Sequence, residues 1–242
     1  MKRLHTYSQY FLRSPDFIKE LIGHTNIRKN DTVYDIGAGS GAISAALASR
    51  CKQVVSIEFE ARMAGKLREN MQRYPNVRVV EGDFLTMPLP TGGYKVFANI
   101  PFHLSSPIVR KLTEADVPPK ATYLIVQKQF AQKLLSDSDR FTGQLGMMIG
   151  PWFTVKIRRP LRKTDYFPHP NVDTVLVELK PRETPLLELT QRPAYHRFIE
   201  ACFSDPRQFE KTPRGELGLA ADVKPSRMRL EEWVGLYRLA NK

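Results

Sequence analysis

The stretch Thr32-Val33-Tyr34-Asp35-Ile36-Gly37-Ala38-Gly39-Ser40-Gly41 decides how this 242-residue chain is read. Positions 32–36 carry a strand pattern, and an alanine-rich helical run begins at Ala42. Between them three glycines are spaced GxGxG. A turn without Cβ atoms can bend sharply and approach a ligand closely. The spacing matches neither the GxGxxG of dinucleotide binders nor a phosphate loop ending in Gly-Lys-Ser/Thr. Taken alone, a plain tight turn explains the glycines equally well.

Working outward, the alternation continues. Strands are expected at 53–57, 77–80, 94–98 and 123–126, with Met63, Leu67 and Met71 at helical spacing between two of them. Strand–helix alternation implies an α/β fold, a Rossmann-like parallel sheet with helices on both faces. Ligands of such sheets bind beyond the carboxyl ends of the strands. After residue 150 the pattern changes. Strands at 152–157 and 172–179 should pair antiparallel across a basic, proline-rich loop. Beyond Pro181 two apolar helical stripes follow, one of Tyr195, Phe198, Ile199 and Cys202, the other of Leu230, Trp233, Val234 and Tyr237. The expected division is a domain at 1–181 and a small helical domain at 182–242.

Composition narrows the class. The hydrophobic fraction of 42% and charged fraction of 26% suit a folded chain rather than a disordered one. The net charge of +12 favours a polyanionic partner, nucleic acid first. Cys51 and Cys202 lie far apart with no CxxC, and the five histidines are scattered. A disulfide framework, a metal site and a catalytic triad are therefore not expected. No long apolar run or leader-like start is present, so no membrane association is expected and the location is taken as cytoplasmic.

Two acids give the glycine turn chemical meaning. Glu58 ends the second expected strand, where a carboxylate can accept from both hydroxyls of a ribose. Asp83 follows the third, where it can accept from an adenine amino group, with Phe84 beside it to pack on the purine. Each acid alone reads as a solvated loop residue. Gly37, Gly39, Gly41, Glu58 and Asp83 in register on consecutive strand ends read as an adenosyl pocket without a pyrophosphate.

The fourth strand ends in Asn99-Ile100-Pro101-Phe102. Proline stops a ladder and asparagine favours turns, so a strand-to-loop transition accounts for the types. Chemistry accounts for each residue. An adenine N6 amine is a poor nucleophile because its lone pair is delocalised into the ring. If the Asn99 side-chain oxygen and the Ile100 carbonyl accept its protons, the nitrogen is pushed toward pyramidal geometry and can attack an activated methyl in line. Pro101 aims that carbonyl and Phe102 stacks on the base. Alignment and charge placement carry such a transfer without a strong general base.

These residues, with Ser8-Gln9-Tyr10-Phe11-Leu12, His103-Leu104-Ser105-Ser106, Gln127-Lys128-Gln129-Phe130-Ala131 and Tyr166-Phe167-Pro168-His169-Pro170-Asn171-Val172-Asp173, carry a family resemblance. The chain resembles the ribosomal RNA adenine N6-methyltransferases, which include the erythromycin-resistance (Erm) enzymes and the small-subunit dimethyladenosine transferases. The resemblance implies a seven-stranded class I methyltransferase sheet, S-adenosyl-L-methionine as donor and S-adenosyl-L-homocysteine as product. It implies that Gln9 and Phe11 help enclose the donor, that Asn99 touches it, and that Phe167 lies against an adenine extruded from its stack. Tyr10 stands where the family usually has asparagine. The basic run with Lys156, Arg158, Arg159, Arg162 and Lys163 would supply phosphate contacts, or is a solvated hairpin loop. Ribosomal RNA is the implied partner, with RNA contact also expected of the C-terminal domain and the protein acting as a monomer. Within the family, Leu230-Glu231-Glu232-Trp233-Val234-Gly235-Leu236-Tyr237 and the short chain look more like an Erm enzyme. That implies large-subunit (23S) RNA as substrate and macrolide-lincosamide-streptogramin B resistance as the outcome. A small-subunit dimethyltransferase and a non-catalytic RNA-binding factor on the same scaffold are the alternatives.

Overall fold

The computed structural model describes residues 11, 12, 14–136 and 141–241. The elements run β1 (Phe11–Leu12), α1 (Pro15–Gly23), β2 (Thr32–Ile36), α2 (Ala42–Ala48), β3 (Gln53–Glu58), α3 (Ala61–Met71), β4 (Val77–Glu81) and β5 (Lys95–Asn99). There follow α4 (Ser105–Thr113), β6 (Ala121–Gln127), α5 (Lys128–Leu134), α6 (Gln144–Ile149), β7 (Phe153–Leu161), β8 (Tyr166–Phe167) and β9 (Thr174–Pro181). The last three are α7 (Arg192–Ser204), α8 (Pro206–Glu210) and α9 (Leu230–Ala240).

Seven strands form one sheet in the order β4-β3-β2-β5-β6-β9-β7. β2 through β6 pair in parallel. The chain builds outward from β2 to β4, then crosses back so that β5 lies on the other side of β2. The carboxyl ends of β2 and β5 therefore flank a topological switch point, where open α/β sheets bind ligands. At the far edge the Arg182 N–H donates to the Trp152 carbonyl and the Thr154 hydroxyl to the Lys180 carbonyl. Numbers rising on one strand while falling on the other make β7 and β9 antiparallel, as the sequence pattern implied.

The local signals are ordinary. Ser14 caps α1, its hydroxyl accepting from the Phe17 N–H, with Pro15 at the first helical position. Residues 121–126 of β6 are all buried, the uninterrupted apolar run of a strand covered on both faces. Ile18, Leu21 and Ile22 of α1 join Ile43 and Leu47 of α2 and Val33, Val54, Phe97 and Ile125 of the sheet in one cluster. Each such side chain contributes about 1.5–3 kcal/mol by leaving water.

The chain clusters into two compact units: residues up to Lys128 with Ile157–Glu178, and Gln129–Lys156 with Leu179–Lys242. One cut after residue 181 does not describe this division. The chain crosses between units three times, because β7 and β9 each start in one and finish in the other, and α6 groups with the C-terminal helices. Within the second unit the two apolar stripes meet. Tyr195 packs edge-on to Tyr237 at 5.2 Å, and Phe198 and Phe203 both contact the fully buried Trp233. Such ring pairs contribute about 0.5–1.5 kcal/mol each beyond their burial.

Candidate active site

All three glycines of the turn after β2 have left-handed backbones, with φ of 72° at Gly37, 56° at Gly39 and 93° at Gly41. At Gly41 an added Cβ would also lie 2.6 Å from Leu67 Cδ1 and 2.7 Å from Met71 Cε, so the ends of those two side chains would have to shift. Two backbone bonds bind the turn to its neighbour strand, since the Gly37 and Ala38 N–H groups both donate to the Ile57 carbonyl.

Glu58, at the end of β3, is only 4% exposed. Its Oε2 accepts from the Gly39 N–H at 2.8 Å and its Oε1 from the Glu60 N–H at 3.0 Å. The carboxylate thus shapes the glycine turn, and each oxygen keeps a lone pair for a further donor. Asp83 sits one strand over, after β4. Its Oδ1 accepts from the Leu85 N–H at 2.9 Å, while the Gly82 N–H reaches the Glu58 carbonyl. Phe84 is only 7% exposed, so its ring is largely packed inside. The open ring nearby in sequence is Phe59, 68% exposed and directly after Glu58. Its residue type alone did not single it out; an apolar ring immediately after the carboxylate expected to bind a ribose was the available signal.

Asn99 closes β5, in register with Ile125 of β6, and is half-buried. Ile100 is buried. Pro101 Cδ lies 3.6 Å from where a Cβ on Gly37 would stand, so the tetrapeptide and the glycine turn adjoin at the switch point. Phe102 opens a short 3-10 turn that leads into α4. Phe167 stands on β8, which pairs antiparallel with β1: Phe11 lies opposite Phe167 and Leu12 opposite Tyr166. The Phe167 ring is 63% exposed. This two-residue pairing ties the segment expected to enclose the donor to the one expected to hold the base. Gln9 lies outside the described residues, and of Phe11 only the backbone is described.

Of the expected RNA-binding residues, Lys156, Arg158, Arg162 and Lys163 are exposed. Arg159 is engaged internally: its Nη1 lies 2.6 Å from Glu20 Oε1 and 2.9 Å from His24 Nε2, with the guanidinium over the Phe17 ring. Arg158 sits 3.8 Å from Glu178, and Lys163 Nζ donates to the Asn171 carbonyl. Among the described residues no group of acids, histidines and cysteines could hold a metal ion, and no helix is long and apolar enough to cross a membrane.

Asp35 lies beneath the turn, fully buried, with Oδ2 accepting from the Ser44 hydroxyl at 2.6 Å. Among the described residues no donor reaches its Oδ1. Burial pushes its pKa up to about 7; the Ser44 hydrogen bond opposes the rise and the Glu58 charge adds to it. A carboxyl with a raised folded pKa costs stability as the unfolded chain ionises and the folded one does not. Wild-type stability should therefore fall between about pH 4 and pH 7, by about 3–4 kcal/mol in total. Asp35→Asn should show less of this fall in ligand-free thermal melts across that window. Parallel curves for the two proteins would contradict the assignment.

The residues present fit an adenosyl ligand. Three glycines leave the backbone bare beside Pro101, Glu58 retains acceptor capacity, and Asp83 keeps its Oδ2. The model of the ribosomal RNA adenine dimethylase family matches residues 2–209. A curated relative, the ribosomal RNA small subunit methyltransferase A of Latilactobacillus sakei subsp. sakei (strain 23K), is 28% identical over 242 residues, covering 90% of this chain and 82% of its own. An rRNA adenine N-6-methyltransferase of Lysinibacillus sphaericus is 30% identical over 193 residues, 79% of this chain and 77% of its own. Among solved structures, the 23S rRNA methyltransferase ErmE superposes with a TM-score of 0.82 at 28% identity, covering 96% of this chain and all of that one.

Proposed function

Because the chain belongs to the ribosomal RNA adenine dimethylase family, we propose that it methylates N6 of an adenine in 23S ribosomal RNA and so confers macrolide-lincosamide-streptogramin B resistance. The observation that carries the chemistry is the junction of the Gly37 turn with Pro101, which sets a donor pocket against the amine-gripping tetrapeptide. Bound in that pocket, S-adenosyl-L-methionine supplies an electrophilic sulfonium methyl. Glu58 accepts from the ribose hydroxyls, Asp83 from the adenine amine, and the exposed Phe59 ring covers a purine face. The Asn99 oxygen and the Ile100 carbonyl hold the two protons of the target amine, turning its lone pair out of conjugation. Phe102 and Phe167 stack on the extruded base, and the amine's surplus proton passes to water.

Support for large-subunit RNA is the near-complete mutual superposition with ErmE. Support for a second reading, a small-subunit adenine dimethyltransferase, is the Latilactobacillus relative. Incubating the protein and labelled donor separately with 23S and 16S RNA decides between them. Label in 23S RNA, together with macrolide resistance in cells expressing the protein, supports the proposal; label confined to 16S RNA overturns it.

The basic strand bears the phosphate contacts in this reading, but not uniformly. Lys156→Ala with Arg162→Ala should weaken RNA binding and reduce the slope of log K against log salt by roughly 1–2, measured by fluorescence anisotropy. Arg159→Ala, whose guanidinium is already occupied by Glu20 and His24, should change the slope less. An unchanged slope in the double variant would move the RNA surface elsewhere.

A further inference from the structure

Lys111 has no part in the chemistry described above, yet it occupies an unusual position. It projects from the last turn of α4, the helix that follows the gripping tetrapeptide after a short 3-10 turn. Its Nζ donates to the Leu85 carbonyl at 2.8 Å and to the Met87 carbonyl, and lies 5.4 Å from the centre of the Phe84 ring. Both acceptors belong to the loop that begins with Asp83. Desolvation lowers the pKa of this ammonium, and the charge of Asp83 partly restores it. A methionine or leucine would cover Phe84 without that desolvation cost. What an apolar side chain could not do is hold two carbonyls of one loop and keep a positive charge close to Asp83.

We propose that Lys111 is a positioning residue for the donor: by gripping the Leu85 and Met87 carbonyls it holds the Asp83 carboxylate aimed at the 6-amino group of the donor's adenine. The proposal rests on the reading of the Asp83 loop as the adenine end of the pocket. Asp83 Oδ1 is committed to the Leu85 N–H, and Lys111 holds the carbonyl of that same Leu85 residue. Both sides of one residue are thus fixed, which leaves Oδ2 as the oxygen presented to the ligand. Because Lys111 stands on α4, the loop that reads the donor is tied to the helix that continues from the residues gripping the acceptor.

The test compares Lys111→Met, Lys111→Arg and Asp83→Ala with the wild type. Titration calorimetry gives affinity for S-adenosyl-L-homocysteine and for its 6-oxo (inosine) analogue, and steady-state kinetics gives kcat and the RNA KM. Lys111→Met should bind S-adenosyl-L-homocysteine about tenfold more weakly and discriminate less against the inosine analogue. Its kcat at saturating donor and its RNA KM should stay within about threefold of wild type. Lys111→Arg, which keeps a charge and donors, should recover most of the lost affinity. Unchanged affinity and discrimination in Lys111→Met would overturn the proposal. So would a Lys111→Met protein whose melting temperature, kcat and RNA KM all deteriorate together while discrimination is preserved, since that pattern marks a merely structural contact. An Asp83→Ala protein that binds donor as tightly as wild type, and discriminates as well, overturns the reading of the pocket itself.

Discussion

Asn99→Ala should reduce methyl transfer by about a thousandfold while leaving affinity for S-adenosyl-L-homocysteine within about twofold of wild type. The size of the effect follows from what the side chain is asked to do. In the proposed mechanism its oxygen and the Ile100 carbonyl are the two acceptors that bring an aromatic amine's lone pair out of conjugation, and that work is needed chiefly in the transition state. In the proposed reading the donor is held by Glu58, which accepts from the Gly39 and Glu60 N–H groups, and by the Asp83 loop, where Asp83 accepts from the Leu85 N–H. Asn99→Asp keeps acceptor oxygens and should lose less than Asn99→Ala. Single-turnover transfer of labelled methyl to RNA measures the chemical step directly. An alanine variant with a near-native rate would sink the amine-grip mechanism.

Glu58→Ala should raise the dissociation constant for S-adenosyl-L-homocysteine by about a hundredfold, and Glu58→Gln by less. Hydrogen bonds to a charged group contribute about 1.5–3 kcal/mol each, and the ribose would lose two acceptors. A further loss is built into the free protein, since the same carboxylate holds the Gly39 and Glu60 N–H groups. Glutamine retains one acceptor oxygen and can hold only one of those groups as before. Calorimetry reads both constants. Affinity within about threefold of wild type for the alanine variant would remove Glu58 from the ribose site.

The parallel sheet was legible because its strands are short β-branched or apolar runs, ended by Gly37 after β2, Glu58 on β3, Gly82 after β4 and Asn99-Ile100-Pro101 at β5, and each such run became a strand. The two-residue pair β1–β8 was not, because two residues carry no periodicity and their partners lie more than 150 positions apart in the chain. The expected boundary and the packing follow different signals: composition changes near residue 181, whereas packing groups α6 and parts of β7 and β9 with the C-terminal helices. Of the proposed site residues, Gly37, Glu58, Asp83 and Asn99 were singled out by residue types at strand ends. Lys111 was not, because its partners are backbone carbonyls, which leave no mark in a sequence. Arg159 reads in the sequence as one more cation of a basic run, because its partners Glu20 of α1 and His24 just beyond it lie far away in the chain.

Transfer to the exocyclic nitrogen of an adenine in ribosomal RNA can be read directly by incubating ribosomal RNA with the protein and a trideuteromethyl donor, then digesting to nucleosides for mass spectrometry. Trideuterated N6-methyladenosine or its dimethylated form is expected, with S-adenosyl-L-homocysteine released in equal number to the methyl groups gained. Label on a ribose, on a pyrimidine or on a ring nitrogen of adenine, or no label at all, would contradict the proposed transfer.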